Sequence, residues 1–339
     1  MSTRVLVYGA TGHTGRFVVD ELLRRGLTPV PAGRSAERLA AAAPSHTTLD
    51  LREVALDDPD RLREALSGVG AVINCAGPFI DTALPLARAA VAAGAHYLDV
   101  TAEQPVVQEL YRELDGPARE AGVAVVPAMA FYGGVADLLV TATLDGDHRA
   151  DEVEVAIGLD HWWPTEGTRV TGARNTATRQ VIRAGALAAL ANPAPTGTWA
   201  YPEPFGEQAV VELPFSEVIT IHRHLEVGEL RSHLNTAALE ELRNAATPAP
   251  SATDEAGRSE QQFVVDVVVR RGADVRRLRA TGRDIYAVSA PIIVEGAARL
   301  IDGRRNGSGA LAPGQAFAAA DVLSSLERTV AGFVVSSPG

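Results

Sequence analysis

The sequence predicts an α/β protein: a Rossmann-type doubly wound parallel sheet, followed by a second α+β domain with a mixed or antiparallel sheet. Three observations predict it. Strand and helix patterns alternate through the first part of the chain. A glycine triplet follows the first strand and opens the first helix. Further on, the pattern changes to half-exposed alternating segments. The expected division is a dinucleotide-binding domain over residues 1–130 and a substrate domain over residues 131–310.

Arg4–Gly9 is a buried-strand run, and His13–Arg25 is an amphipathic helix stopped by Gly26. Thr28–Ala32 reads as the second strand and Ala36–Ala43 as a short helix. A third strand lies within Leu49–Leu56, and Asp58–Ser67 is a helix with Pro59 in its first turn. Ala71–Ala76, His96–Val100 and Val123–Pro127 are strands, alternating with helices at Thr82–Ala93 and Val106–Ala121. In the second half, Glu152–Asp160 alternates like a half-exposed strand, and Thr168–Leu190 reads as one long helix. Ala209–Val218, Phe263–Arg270 and Val275–Thr281 read as further strands. Thr247–Gly257 is a surface loop, and Ser289–Asp302 and Ala316–Ala331 are helices.

Composition narrows the function. The 339 residues suffice for two sizeable cores. A net charge of -11, with no basic block, argues against a nucleic-acid partner. The lone Cys75 excludes a disulfide framework and a cysteine metal cluster, and no metal is expected. Met1-Ser2-Thr3-Arg4 runs straight into a strand, and the longest uncharged run, Ala184–Pro202, is broken by prolines. A cytoplasmic protein without a membrane partner is the expectation. All 31 basic residues are arginine. Schiff-base chemistry and a lysine base are therefore excluded, as is the Tyr-x-x-x-Lys pair of the short-chain dehydrogenases.

Gly9-Ala10-Thr11-Gly12-His13-Thr14-Gly15 sits where a phosphate loop belongs. Gly9 permits the tight turn, Gly12 lets backbone approach a pyrophosphate, and Gly15 allows close packing of helix on strand. The first helix amides would face that anion, with Thr11 and Thr14 in the cradle and His13 starting the helix. The second strand ends in Pro31-Ala32-Gly33-Arg34-Ser35, with no carboxylate before Glu37. Arg34 can pair with a 2′-phosphate and Ser35 can donate to it, so NADP(H) is expected over NAD(H). The adenine edge is expected at Leu56 and Asp57, with Asp50-Leu51 as the competing register. The small residues Cys75, Ala76 and Gly77, followed by Pro78, let the loop after the fourth strand lie along the dinucleotide.

These segments together resemble the saccharopine dehydrogenase-like NADP-binding family, which includes saccharopine reductases and trans-acting enoyl reductases. The matching pieces are Gly9–Gly15, Ala32-Gly33-Arg34, Asn74–Phe79 and Tyr97–Glu103, with Ala102 where the family has glycine. Weaker echoes lie at Glu166–Thr168, Gly282–Tyr286 and Leu311–Phe317. The resemblance implies an NADPH-dependent reductase of a C=N or activated C=C bond, acting in a cleft between two domains. It also implies that the C-terminal helix, within about residues 311–339, packs back on the dinucleotide domain.

Hydride transfer needs a proton source beside the acceptor. Glu103, ending the fifth strand, and Tyr132, after the sixth, are the candidate acids. Trp163 and Arg169 are the candidate substrate contacts, for a planar group and a carboxylate, with Arg174 and Arg179 nearby. His222 and His224 are expected on one face of a strand. The expected partner is a small molecule, and a homodimer is compatible with this reading. The competing class is a non-catalytic NADP-binding redox-sensing regulator, which needs no second domain with an enclosed pocket.

Overall fold

The structure is a computed structural model and describes residues 2–42 and 48–337. Ala43, the expected last residue of the second helix, and Pro338 and Gly339 of the C-terminal segment lie outside the described residues.

The first half builds strand and helix in strict alternation. Its elements are β1 (Arg4–Tyr8), α1 (His13–Arg24), β2 (Thr28–Gly33), α2 (Ala36–Ala42), β3 (Arg52–Glu53) and α3 (Pro59–Ala65). There follow β4 (Ala71–Asn74), α4 (Phe79–Ala92), β5 (His96–Asp99), α5 (Gln104–Glu120) and β6 (Ala124–Val126). All four residues of β4, and Val5 to Tyr8 of β1, are buried, as a strand covered on both faces requires. Helix α1 turns Gly15, Val18, Val19 and Leu22 toward the sheet. The Asp58 carboxylate accepts from the Arg61 amide, 3.0 Å away, and caps α3, with Pro59 in the first turn. The third strand is much shorter than expected, because only Arg52 and Glu53 pair with β2.

The second half contains α6 (Ala136–Leu144), β7 (Arg149–Leu159), α7 (Glu166–Arg174), β8 (Gln180–Arg183), β9 (Ala186–Ala189) and β10 (Thr196–Ala200). It continues with β11 (Glu207–Glu212), α8 (Glu217–His224), β12 (Glu226–Asn235), α9 (Thr236–Arg243), β13 (Gln262–Arg271) and β14 (Asp274–Arg283). The end of the chain holds α10 (Ser289–Ile301), β15 (Gly309–Ala310), α11 (Pro313–Ala316), α12 (Ala319–Thr329) and β16 (Val334–Ser336).

Seven parallel strands form the first sheet in the order β15-β6-β5-β4-β1-β2-β3. The chain leaves β1 for β2 on one side and later returns to β4 on the other. This reversal opens a crevice outside the carboxyl ends of β1 and β4, where such folds bind ligands. Nine strands form the second sheet, with the path β10-β11-β12-β7-β13-β14-β16 and β8 and β9 joined through β12. The sheet is mixed, since β12 runs parallel to β7 while its other pairings are antiparallel.

Three sequence expectations fail here. The long helix over Thr168–Leu190 is only α7, because Ala184 and Gly185 take positive φ, reverse the chain and pair β8 with β9. Its alanines favour helix locally, but Ile182 pairs with Leu230 and is buried in the sheet. Val218 belongs to α8 and not to the strand read over Ala209–Val218. His222 and His224 are also on α8, where a two-residue offset sends side chains to nearly opposite faces.

The chain end knits the two sheets together. Strand β15 extends the parallel sheet beside β6, while α10 packs on α1, β4 and β5. Helices α11 and α12 pack on α6, and β16 then pairs with β14 of the mixed sheet.

Candidate functional site

The glycines of the first loop are dictated by backbone contact. Gly9 has φ +83°, and a Cβ there would lie 2.8 Å from the Ala76 nitrogen. The turn after β1 thus touches the loop after β4 directly. A Cβ on Gly15 would stand 2.2 Å from the Gly9 carbonyl oxygen, so only glycine lets α1 approach its own strand so closely. Gly12 is the residue before α1, is exposed, and offers no side-chain cap to the first-turn amides. Those amides are left for a ligand, and a helix N-terminus favours an anion. Thr11 and Thr14 border this cradle and are half-buried. The His13 ring meets Phe17 and Tyr286 edge-on at 5.3 and 5.5 Å. Its Nε2 is buried without a hydrogen-bond partner, and burial lowers the pKa of the ring.

The far end of the crevice is set by sheet register. Arg34 is exposed and makes no hydrogen bond or ion pair among the described residues; its charge acts on the phenol of Tyr8, as does that of Asp57. Arg34 and Asp57 therefore both face the end of β1. Val54 donates to the Gly33 carbonyl at 2.9 Å, so the residues continuing from β3 toward this edge are Ala55, Leu56 and Asp57. The Ser35 hydroxyl accepts from the Arg38 amide at 3.3 Å. A carboxylate beyond Glu37 also reaches this turn, from β3. Glu53 pairs with Gly33, and its Oε1 accepts from the Ala36 amide at 3.2 Å.

The loop after β4 carries Cys75, Ala76, Gly77 and Pro78. Cys75 donates its amide to the Tyr8 carbonyl at 2.8 Å, and burial pushes its thiol far up, so it holds no thiolate at neutral pH. A Cβ on Gly77 would lie 2.5 Å from Thr171 Oγ1 of α7. This helix buries none of its residues and reaches over the loop, with Arg174 paired to Asp81 at 3.0 Å.

A buried polar chain leads from this loop to the candidate acid. Asn74 donates to Thr82 and Tyr97, both at 3.2 Å, and Tyr97 donates to Asp99 at 3.0 Å. Asp99 also accepts the Thr101 and Ala128 amides. Burial still raises its pKa to about 6. Glu103 is 3% exposed, and its Oε2 accepts from the Phe79 amide at 3.1 Å and the Thr101 hydroxyl at 3.4 Å. Burial, with Asp99 and Asp81 adding like charge, lifts its pKa to about 7. Phe79 starts α4, so Glu103 is fastened to the loop that borders Gly9.

Gln104 holds the second domain against this acid. Its amide donates to the carbonyls of Gln180 and Phe215, both at 2.9 Å, and its oxygen accepts from the Gln180 amide at 2.7 Å. Tyr132 joins an aromatic group with Phe131, Trp162 and Phe215, at centroid distances of 4.9, 5.4 and 4.3 Å. Its hydroxyl is buried without a partner, and burial pushes its pKa well above the usual value. The Tyr286 hydroxyl accepts from Trp162 Nε1 and the Thr165 amide and meets the Thr168 hydroxyl at 2.9 Å. Tyr286 thus links the His13 loop to the start of α7.

The two expected substrate contacts have other partners. Arg169 directs its guanidinium to the carbonyls of Asn244 and Thr247, at 3.3 and 2.7 Å. Trp163 stacks at 4.9 Å on His161, which is itself exposed and paired with Glu241. Sequence reading missed Gln104 and Phe215 as members of the site. Asp99 and Tyr286 left a signal, within the Tyr97–Glu103 match and the Gly282–Tyr286 echo.

Residues 5–126 match the family described as the saccharopine dehydrogenase NADP binding domain. This stretch is therefore similar to that NADP-binding domain. NADP(H) is accordingly its cofactor, and the open first-turn amides, the glycine cradle and the free Arg34 fit that group. A saccharopine dehydrogenase-like oxidoreductase of Bos taurus is 30% identical over 158 residues, covering 41% of this chain and 37% of the relative. A Mycobacterium tuberculosis protein whose name includes the words "trans-acting enoyl reductase" is 29% identical over 144 residues, covering 41% and 34%. The matched stretch thus spans about a third of the curated relatives' length. The solved saccharopine dehydrogenase (L-Glu forming) of Saccharomyces cerevisiae overlays with a TM-score of 0.71 at 13% identity, covering 99% of this chain and all of its own. The saccharopine dehydrogenase-like domain therefore sits in a chain whose whole fold is shared. Among the described residues, no helix is long and apolar enough to cross a membrane, and no group of three or more His, Cys, Asp or Glu could hold a metal.

Proposed function

We propose that this protein is an NADPH-dependent reductase of a C=N or activated C=C bond in a small molecule, with Glu103 supplying the proton. The domain over residues 1–130 would bind the cofactor, and the mixed sheet within residues 131–310 would cover the substrate. A cytoplasmic setting is part of the same reading. The observation that carries the proposal is Glu103 itself: a buried carboxyl with a pKa raised to about 7, fastened by the Phe79 amide to the loop that touches Gly9. A group with a pKa near the working pH is a suitable general acid.

The nicotinamide, when bound, supplies hydride. The chain supplies the rest. First-turn amides of α1 and the backbone at Gly9 and Gly12 would hold the pyrophosphate. Cys75–Pro78 would form a wall beside the dinucleotide. Glu103 keeps Oε2 on the Phe79 amide and delivers a proton from Oε1, which makes no hydrogen bond among the described residues. Tyr132, Trp162 and Phe215 keep the far wall dry, which supports an unsaturated or planar substrate. Tyr132 has the weaker claim as donor, because burial makes its phenol a poorer acid. The test is NADPH consumption with panels of imines and enones. Steady turnover of one panel that is abolished in Glu103→Gln supports the reading. Cofactor binding with no turnover of any panel favours the sensing regulator.

A further inference from the structure

The edge of the cofactor site that would receive the ribose contains opposite charges from two strands. Arg34 follows β2 and has no ion-pair partner among the described residues. Glu53 ends β3, in register with Gly33, and its carboxylate occupies the Ala36 amide at 3.2 Å. Gly33 and Ala36 bracket Arg34 and Ser35, so the carboxylate lies within the turn expected to take the 2′-phosphate. Val54 donating to Gly33 at 2.9 Å fixes Glu53 there through the backbone.

We propose that Glu53 is a specificity-determining residue that moderates the preference of this site for NADPH over NADH. The inference rests on the cofactor reading above. A 2′-phosphate carries about two negative charges near neutral pH, as phosphate monoesters do. Arg34 attracts it, while Glu53 repels it and competes for the same donor. A 2′-hydroxyl does the reverse: it donates to the Glu53 carboxylate and gains little from Arg34. The two side chains therefore pull cofactor choice in opposite directions, and the site is tuned to discriminate less than Arg34 alone would achieve. The Glu53 carboxylate accepts from the Ala36 amide, and the neighbouring Arg52 is directed instead to Asp50.

The experiment measures dissociation constants for NADPH and NADH by fluorescence in wild type, Glu53→Gln, Arg34→Ala and the double variant. Glutamine keeps an oxygen for the Ala36 amide, and circular dichroism checks the fold. Glu53→Gln is expected to tighten NADPH and weaken NADH, raising the ratio of the two constants by about tenfold, or 1.4 kcal/mol. The gain should shrink as salt is added and should be smaller where Arg34 is absent. An unchanged ratio, or an equal change for both cofactors, overturns the role of Glu53 and leaves the domain assignment intact. Binding of neither cofactor by wild type overturns the cofactor reading and this inference with it.

Discussion

Glu103 invites a test in which catalysis and stability report separately. Replacing it by glutamine keeps an oxygen for the Phe79 amide and removes the ionisable group. In the wild type, burial raises this carboxyl from an ordinary 4.5 to about 7. The folded protein then binds the proton more tightly than the unfolded chain does. Stability associated with Glu103 is full below about pH 4.5 and is lost as pH rises through about 7. At 1.36 kcal/mol per unit of pKa, the loss amounts to about 3 kcal/mol. Glutamine has no such loss, so Glu103→Gln should gain about 3 kcal/mol relative to wild type between acid and mildly alkaline pH. Urea unfolding at both ends of that window measures it. Turnover should move the other way. The wild-type rate should fall above about pH 7 as the acid deprotonates, and the variant should be slower by about 10²–10⁴ with no such limb. A constant stability difference across the window would refute the burial argument. A wild-type rate and pH profile in the variant would refute the proton role.

The two glycines nearest the pyrophosphate should separate. Gly12→Val should keep the circular dichroism of the wild type and lose cofactor binding, whereas Gly15→Ala should lower the unfolding midpoint, because its Cβ meets the Gly9 oxygen at 2.2 Å. Arg34→Ala should weaken NADPH by about 1–3 kcal/mol in a fluorescence titration and leave NADH nearly unchanged. Tyr132→Phe removes a buried hydroxyl that has no partner, so stability should hold or rise by up to about 1–2 kcal/mol with kcat retained; loss of kcat would transfer the proton role to Tyr132. Tyr286→Phe should cost about 1–3 kcal/mol in chemical denaturation, since it strips a shared acceptor from Trp162, Thr165 and Thr168.

Local chemistry made the first domain legible. Gly9, Gly12 and Gly15 are spaced by the demands of one turn and one close approach, and Arg34 follows its strand directly. Buried parallel strands read as apolar runs, and α1 shows its inner face at helical spacing. Glu103 was accessible for the same reason, since it lies between β5 and α5, whose place in the alternation is unmistakable. The second domain was not legible in this way. The alanine-rich stretch after α7 has helical propensity, yet the reversal at Ala184 and Gly185 and pairing with β12 make it sheet. Propensity is worth tenths of a kcal/mol per residue, and tertiary pairing exceeds it.

By itself, the sequence determined the dinucleotide fold, its phosphate loop and the absence of lysine chemistry, because each depends on residue type or on neighbours within a few positions. Tertiary structure alone decided which distant groups share the crevice. Register between β2 and β3 brings Glu53 to the turn at Arg34, 19 positions earlier in the chain. The chain's late return places Tyr286 beside His13, and Gln104 draws Gln180 and Phe215 toward Glu103. Arg169 directs its donors to the Asn244 and Thr247 carbonyls, contacts the sequence did not indicate. The physical reason is common to all of these: hydrogen bonds and electrostatic pairs act over a few ångströms of space, and only the packed sheets convert separation along the chain into that distance.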